Sequence, residues 1–554
     1  MFKPKKPRLH LEIQTHRKNP IGVIRSTFRN DGKVVHETHG RITGMGLPQL
    51  KLIQAAFRNE VVPVGSADAL QTVGSKEFGG AAALLKLVRD LGLDKVLYSR
   101  KEPWVGLVLA MVTGRLLYQG SKLSLVNRWK DTALWELAGI DGRPDVEKHC
   151  YESMDRLLDS QARVQKKLAA KHMAGGEVVL YDITSSYLEG EYEESELADY
   201  GYSRDGKKSR KQIVIGLACN REGCPVAVEV FSGDTKDEST VMDKIRQLQQ
   251  DLGLERIIFV GDRGMVTASN YEKIRGVGGV DTITALTHRE ILGLLETKDV
   301  QLELFDQRQP VEVEDPRHPG RRLVLCLNPD SAAKETATRQ ALMDKTREAL
   351  ERIAHGCTLR STSDKTIGER LGRVFEKYGM GKFVETWTED IQVGKQQKPG
   401  KIMRWGFKQE KIDLEQATDG CYVIASDVPG ETMGAEETVA TYKSLGQVEQ
   451  AFRNLKTASL ELRPIYHKTD DRIRAHAFLC MLAYYLQWHL EQRLAPLFEG
   501  DGEYKQRRWS LEMALERLMS IRRKKVVLNG VEFDHVDTPD PEQQQILDLL
   551  GVTL

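Results

Sequence analysis

The sequence predicts a mixed α/β protein whose core is a sheet with flanking helices, interrupted by a large β-rich insertion and preceded by a helical domain. Two observations carry this prediction. Three apolar runs, Glu177–Ile183, Ile213–Cys219 and Val226–Phe231, are typical of strands, and a tight turn joins the last two. Helical spacing over Thr240–Leu252 is followed by another strand, Arg256–Val260, which is the alternation expected of a mixed sheet.

The chain of 554 residues has room for several domains of roughly 100–200 residues each. Helical spacing runs from about Gly79 to Ala174, and the pattern changes sharply at Gly175-Gly176. From about Asp281, strand-like runs and one long charged helix near Ala332–Ala354 indicate the insertion. The predicted parts are an N-terminal arm with a short β region, 1–75; a helical domain, 76–174; the first part of the core, 175–280; the β-rich insertion, 281–440; the second part of the core, 441–500; and a C-terminal tail, 501–554.

The charges of the chain nearly cancel, since 81 Lys and Arg residues stand against 80 Asp and Glu residues. This balance excludes a uniformly basic nucleic-acid coat and, with 40% hydrophobic residues, an acidic disordered chain. A nucleic-acid partner therefore requires local basic patches. Candidates are the N-terminal arm, the loop 204–211, and the run Arg522–Lys525 at the end of a predicted helix over Trp509–Arg523. For the arm and the loop, ordinary solvated segments fit the sequence equally well.

Seven cysteines without paired CxxC spacing favour a reducing cytoplasm over disulfides. Cys219 and Cys224 flank a turn and are interpreted as hairpin cysteines rather than zinc ligands, because the sequence shows no four-ligand set. His467, His476 and His489 are interpreted as structural residues. The longest apolar stretches are shorter than the ~20 residues that cross a bilayer, so no membrane association is expected.

Two aspartates follow apolar strand segments. Asp182 comes after Val-Val-Leu-Tyr, and Asp262 comes after Ile-Ile-Phe-Val-Gly. Each is expected at the end of a strand in one sheet, which would bring the two carboxylates together. Like charges at close range need a cation, and carboxylate oxygens suit Mg²⁺ or Mn²⁺. The alternative is that each aspartate is simply a turn or helix-cap residue.

A third acid lies on a predicted helix over Ser444–Thr457, which opens with a capping-box spacing. Glu449, Arg453 and Lys456 lie at i, i+4 and i+7, beside one apolar stripe. That stripe consists of Val448, Ala451, Phe452 and Leu455. On spacing alone, a surface ion-pair ladder explains the three charged residues as well as a functional site does.

The order of these features resembles the DDE transposases of the insertion-sequence-4 type, in particular the branch with a long insertion before the last acid (the IS1634-like group). The group's signature is Tyr-x-x-Arg-x-x-x-Glu, six residues, then Lys. Tyr442, Glu449 and Lys456 match it in place, whereas Leu445 stands where the family has Arg. Arg453, one turn after Glu449, is expected to replace part of that arginine's role at the phosphate. The resemblance covers roughly residues 80–550 and rests on the order of the motifs.

The resemblance implies an RNase H-like catalytic core with an acidic triad of Asp182, Asp262 and Glu449, which would hold two Mg²⁺ ions, with Mn²⁺ as a substitute. Two metal ions in such a site activate the attacking oxygen and stabilise the leaving oxygen. Asp182, on the central strand, is expected to be the bridging ligand. The partner is double-stranded DNA, both the terminal inverted repeats and the target, and the protein is expected to act as a homodimer in the synaptic complex.

Several residues are expected to contact DNA. Tyr442, Arg453 and Lys456 are placed near the cleaved phosphate. In the loop 204–211, the basic residues expected to reach DNA are Arg204, Lys207, Lys208, Arg210 and Lys211. A flipped base could stack on Trp387 or Trp405, although core or loop positions account for both tryptophans as well.

The leading hypothesis is therefore an insertion-sequence transposase in the bacterial cytoplasm, associated with the nucleoid, with the helical region 76–172 as the candidate end-binding domain. One alternative is a catalytically silent DNA-binding relative that acts as a repressor. The other is a structure-specific RNase H-like nuclease without strand transfer. Presence of all three acids argues against the silent relative.

Overall fold

A computed structural model describes residues 9–15, 19–30, 33–58, 70–173, 177–207, 209–296, 309–393, 398–456, 460, 462–498, 509–528 and 531–554. The strands of these residues are β1 Leu9–Gln14, β2 Ile21–Asn30, β3 Lys33–Ile42, β4 Leu70–Glu77, β5 Glu177–Tyr187, β6 Gln212–Cys219, β7 Pro225–Ser232, β8 Ile257–Val260, β9 Val280–Ala285, β10 Val311–Glu314, β11 Arg322–Leu327, β12 Val384–Val393, β13 Lys398–Phe407, β14 Cys421–Ser426, β15 Arg522–Leu528 and β16 Val531–Val536. The α-helices are α1 Leu47–Phe57, α2 Gly79–Asp90, α3 Leu93–Leu97, α4 Pro103–Leu117, α5 Lys122–Asn127, α6 Leu134–Leu137, α7 Glu152–Asp159, α8 Gln161–His172, α9 Asp237–Arg246, α10 Ala268–Arg275, α11 His288–Glu296, α12 Pro329–Leu359, α13 Asp364–Tyr378, α14 Gln409–Ala417, α15 Ala435–Lys443, α16 Leu445–Lys456, α17 Asp470–Phe498, α18 Leu511–Met519 and α19 Pro541–Leu550.

The chain forms two compact units. The first consists of Met1–Leu87, Ser124–Pro144 and Arg493–Leu554, and the second of Val88–Leu123 and Asp145–Gln492. This division cuts across the predicted boundaries, because it places the N-terminal region and the C-terminal tail in one unit and divides the helical segment 76–174 between both. The N-terminal region and the tail are far apart in sequence, but β4 of the first pairs with β15 of the second, which places both in one unit.

A mixed eight-stranded sheet dominates the second unit, in the order β10-β11-β14-β9-β8-β5-β6-β7. The prediction of a mixed α/β protein is thus confirmed. The central strand β5 runs antiparallel to β6 and parallel to β8, and β8 runs parallel to β9. The parallel ladder between β5 and β8 ends at the pair Leu180 and Val260. Asp182 and Asp262 each come two residues after this pair, so the register alone brings them side by side.

Asp182 was expected at or near the end of its strand, but β5 continues for five more residues, to Tyr187. The extra residues keep their pairing with the antiparallel neighbour β6 through Gln212. Pairing on the other side stops at Leu180, because β8 ends at Val260. The aspartate therefore lies where the sheet becomes one strand narrower, which opens space for its side chain.

The segment 281–440 differs from the expected β-rich insertion. Its strands β10, β11 and β14 belong to the large sheet. One of the strand-like runs of the sequence, Val300–Phe305, lies outside the described residues. The chain between β11 and β14 instead forms three helices, α12, α13 and α14, and the hairpin β12–β13. This part has its own apolar core, made by Leu350, Ile353, Cys357, Ile367, Leu371, Val384 and Met403. An apolar run in the sequence predicts that a strand forms, but it does not predict which sheet the strand joins.

The first unit contains two three-stranded sheets, β1-β2-β3 and β16-β15-β4. In the second of these, β15 from the tail pairs with β4 from the N-terminal region. The basic run Arg522–Lys525 lies on β15 and not at a helix end, because α18 already ends at Met519. Lys524 there donates to Asp537 Oδ1 over 2.6 Å, so part of this run is engaged in ion pairs.

Among the described residues, no helix is long and apolar enough to cross a membrane. The most apolar helix, α4, is buried along nearly its whole length, and the middle of α17 is equally buried. Both therefore serve as core helices, which explains their apolar composition.

Close packing between β6 and β5 yields a prediction about stability. A Cβ added at Gly216 would lie 2.9 Å from Cζ of the fully buried Tyr181, a distance that real Cβ atoms essentially never show. We expect Gly216→Ala to lower the free energy of unfolding by about 1–3 kcal/mol, measured from denaturant midpoints. Gly372→Ala is the control, because that helical glycine has open space around it and should gain about 0.5–1 kcal/mol. Equal stability of both variants would contradict the packing described.

Candidate active site

The third acid is brought to the two aspartates by helix packing. α16 packs against β5 and β6 through the predicted stripe Val448, Ala451, Phe452 and Leu455, all of which are buried, so that prediction is confirmed. Glu449 lies beside this stripe and is exposed. The helix does not begin with the predicted capping box, because the Ser444 hydroxyl donates to the carbonyl of Ala440 in the preceding helix α15.

The carboxylate of Asp182 interacts electrostatically with both other acids. Burial raises the pKa of the half-buried Asp182 to about 7, and the charges of Asp262 and Glu449 add to this shift. A hydrogen bond from the Ile183 N–H and the charge of Arg204 act in the opposite direction. The sequence analysis placed these acids together, and the structure shows them interacting.

All three acids line one open cavity of about 820 Å³. The lining also includes Arg263, Tyr442, Lys443, Leu445 and Gly446, which are close in sequence to the acids. Further lining residues come from α11, from β14 and from the chain between β11 and β14: His288, Tyr422, Glu335, Arg339, Glu415 and Asp419. The insertion between β11 and β14 therefore contributes to the cavity of the three acids.

The donor set suits hard divalent cations. Three carboxylates contribute oxygen ligands. Burial, and to a lesser extent the charges of Asp262 and Glu449, raise the pKa of Asp182, and a bound cation would lower it. Carboxylate oxygens are the ligands that Mg²⁺ and Mn²⁺ prefer, so the chemistry of the three residues fits such a cation. The number of ions stays a prediction.

Lys456 reaches inward rather than toward solvent. Its ammonium group lies 2.6 Å from Thr184 Oγ1, on the strand of Asp182, and 2.8 Å from Asp205 Oδ1. Asp205 also pairs with Arg463. The Asp205 side chain is 3% exposed, so this carboxylate joins α16, β5 and the loop 204–211 in a buried network. Sequence spacing gave no sign of Asp205. A contact of Lys456 with DNA stays a prediction.

The remaining basic candidates have different surroundings. Arg453 is exposed on α16, and Lys207 is exposed in its loop. Arg210 pairs with Glu189 over 2.8 Å, and the Lys211 ammonium donates to the carbonyl of Tyr192. Lys208 lies outside the described residues. Arg204 stacks near Tyr202, 5.7 Å from the ring centre.

The three aromatic residues that were predicted to contact DNA have different surroundings. Tyr442 lines the cavity, and burial raises its pKa to about 12, with further contributions from Asp262 and Glu449. Its hydroxyl is therefore a hydrogen-bond donor at neutral pH. Trp387 is 48% exposed on β12, whereas Trp405 packs into the core of the insertion, next to Phe407.

The sequence analysis missed several cavity residues. Arg263 directly follows Asp262, and Lys443 directly follows Tyr442, so proximity to a predicted site residue was the available signal. Arg339, which pairs with Asp419, could not be found in this way, because nothing in the sequence connects α12 with the triad.

The fold and site together define a mixed α/β protein with three clustered acids beside an open cavity. The sequence profile of the transposase DDE domain family matches residues 174–486. This match covers more than half of the chain and includes all three acids, so the chain belongs to the transposase DDE domain family. A search among curated proteins found no match.

The raised pKa of Asp182 leads to a prediction about metal-free protein. Its ordinary pKa is 3.8 and its folded pKa is about 7, so in that interval only the folded state holds the proton. The free energy of unfolding should therefore fall as pH rises from about 4 to about 7. Asp182→Asn removes this loss, and we expect it to raise the melting temperature by about 2–6 °C near pH 8, and by less near pH 5, in the presence of a chelator.

Asp413→Asn is the matched control for this experiment. Asp413 is exposed on α14, and its Oδ1 accepts from Gln409, which an asparagine can also do. Its melting temperature should follow the wild type at each pH. A stabilisation by Asp182→Asn that does not change with pH would show that the carboxyl group is not the cause.

The buried network at Asp205 leads to a second prediction. Asp205→Ala leaves Lys456 and Arg463 without their counter-ion, and we expect the free energy of unfolding to fall by about 3 kcal/mol. Glu189→Ala is the control, because its pair with Arg210 is solvent-exposed and should cost less than about 1 kcal/mol. Denaturant unfolding measures both. If Asp205→Ala lowered the free energy of unfolding no more than Glu189→Ala, the buried network would not stabilise the fold.

Proposed function

We propose that this protein is an insertion-sequence transposase that binds element ends and performs Mg²⁺-dependent DNA cleavage and strand transfer. The observation that carries this proposal is that Asp182, Asp262 and Glu449 line one open cavity, within a chain of the transposase DDE domain family. The order β7-β6-β5-β8-β9, antiparallel and then parallel, supports an RNase H-like core. The helices between β11 and β14 support the branch with a long insertion before the last acid.

Asp182 is proposed as the ligand shared by two ions, with Asp262 and Glu449 each holding one. When bound, Mg²⁺ supplies activation of the attacking oxygen and charge stabilisation at the leaving oxygen. The charges of both other acids act on Asp182, raising a pKa that burial already raises, and this supports a ligand close to both. A protonated Asp182 binds metal poorly, so metal binding releases its proton to solvent.

The cavity walls supply the contacts to DNA in this proposal. Arg263 and Lys443 are exposed cations that line the cavity, and Arg453 is exposed one helical turn after Glu449. These cations can hold phosphates without reading the base sequence. Tyr442 keeps its proton and can donate a hydrogen bond to a phosphate oxygen. Lys456, held by Asp205 and Thr184, positions α16 and so the carboxylate of Glu449.

Two steps of the proposal concern partners and place of action. Cutting and joining two element ends requires two active sites, so a homodimer on paired ends is proposed, acting in the cytoplasm at the nucleoid. A repressor without catalysis has no need for three interacting acids, whose repulsion costs stability. A nuclease without strand transfer uses the same site, and only the products distinguish it from a transposase.

The test is cleavage and joining of a plasmid that carries the element's ends, with purified protein and Mg²⁺. Asp182→Asn, Asp262→Asn and Glu449→Gln should each lower cleavage by at least about 10²-fold, because each removes a metal ligand. Binding of the end DNA should remain, since no basic residue changes. Glu436→Gln, an exposed position at the start of α15, is the control and should cut like the wild type.

Three outcomes separate the hypotheses. Cleavage followed by joining of free 3′ ends supports the transposase, and cleavage without joining supports the nuclease. Full activity in all three acid variants would contradict the metal-bound triad. End binding without any cleavage by the wild type, with either Mg²⁺ or Mn²⁺, would favour the silent relative.

A further inference from the structure

Two histidines and one cysteine form a cluster that contains none of the triad and does not line its cavity. His172 ends α8, Cys224 precedes β7 in the turn after β6, and His489 lies on α17. One potential ligand atom of each lies within 4.8 Å of the other two. Among the residues that the structure describes, this is the one group of three such side chains that meets so closely.

We propose that His172, Cys224 and His489 bind a transition-metal ion, with Zn²⁺ as the best fit. Imidazole nitrogen and thiolate sulfur are ligands of Zn²⁺, whereas Mg²⁺ takes oxygen. The cluster therefore selects a different class of metal from the carboxylate triad. This proposal does not depend on the proposed transposase activity.

The spacing of the cluster is close to that of a tetrahedral site. Zn²⁺ lies about 2.0–2.1 Å from nitrogen and about 2.3 Å from sulfur, so ligand atoms around one ion are about 3.4–3.8 Å apart. A group held within 4.8 Å reaches this spacing through side-chain shifts of about 1 Å. Three protein ligands leave a fourth position, which water can fill because both histidines are only half-buried.

Neighbouring groups hold the three ligands in place. The Tyr485 hydroxyl lies 2.9 Å from His172 Nε2, and the Tyr485 ring packs against His489 with the ring centres 4.6 Å apart. The backbone N–H of Cys224 donates to Asn220 Oδ1 over 2.9 Å, which fixes the turn. Such supporting contacts orient metal ligands and reduce the cost of ordering them.

Metal binding at the cluster must displace the proton of the thiol. Burial lowers the pKa of His172 to about 4, and the charge of Lys171 lowers it further, so the ring is neutral at neutral pH. Burial raises the pKa of the Cys224 thiol, which is fully buried. Formation of the sulfur–metal bond therefore breaks the S–H bond, and the proton goes to solvent.

The turn that carries Cys224 also touches the helix of the third acid. A Cβ added at Gly223 would lie 2.9 Å from Cβ of Gln447, two residues before Glu449. The Trp488 indole N–H donates to the carbonyl of Glu222 in the same turn. A metal at the cluster would thus join α8, α17 and a turn that packs against α16. Its role is structural, since none of its ligands faces the cavity.

Spectroscopy with Co²⁺ as the probe tests the proposal on the full chain. Metal-free protein in excess Mg²⁺ should bind one Co²⁺ with a near-ultraviolet thiolate charge-transfer band and tetrahedral visible bands, and Zn²⁺ should remove both. Cys224→Ser should abolish the near-ultraviolet band, and His489→Gln should weaken Zn²⁺ binding at least about 10-fold. Zn²⁺ should raise the melting temperature of the wild type but not of Cys224→Ser.

Cys219→Ser is the matched control, because Cys219 is another buried cysteine of the same hairpin and is not part of the cluster. It should keep the Co²⁺ bands and the response to Zn²⁺. Absence of a thiolate band in the wild type would overturn the proposal, whether or not any variant folds. A band that survives in Cys224→Ser, or that disappears in Cys219→Ser, would overturn it as well.

Discussion

Burial of one carboxylate close to two others is the constraint that dominates the candidate active site. Burial raises the pKa of Asp182 most, and the charges of Asp262 and Glu449 raise it further. Asp182 lies on β5, Asp262 follows β8, and Glu449 lies on α16. The ladder between β5 and β8 and the buried stripe of α16 hold these acids in place, because separating them would break backbone pairing or apolar packing.

The position of Asp182 in the sheet depends on a difference in length between β5 and its neighbour β8. β5 continues past Asp182 on its β6 side, whereas β8 has already ended on the other side. The antiparallel partner therefore keeps the backbone of Asp182 rigid, while the missing parallel partner leaves room for a ligand. The same arrangement lets α16 approach β5 and bring Glu449 to the gap. A site built on strands and helices is held more precisely than one built on loops.

The sequence was sufficient for the elements that carry local signals. The apolar stripe of α16 and the main strands follow from periodicity, and the structure agrees. Proximity of Asp182 and Asp262 follows from the strand pattern, but the place of Glu449 beside them was implied only by the family resemblance. The partners of distant segments could not be predicted. Neither the pairing of β15 with β4, nor Asp205 beneath Lys456, nor His172 beside Cys224 has a sequence pattern, because each depends on how remote segments pack.

The near-zero net charge has a structural explanation. Many cations that the sequence offered for DNA are engaged within the protein: Lys456 pairs with Asp205, and Arg210 pairs with Glu189. Lys456 cannot neutralise a phosphate without leaving the buried Asp205 unpaired, whereas Arg210 stays accessible in its exposed pair. A basic residue in the sequence therefore overstates the charge available to a DNA partner where its ion pair is buried. The exposed cations near the acids, Arg263 and Lys443, were not among the predicted contacts. Local surface charge, which the fold decides, therefore outweighs total charge in determining where DNA can bind.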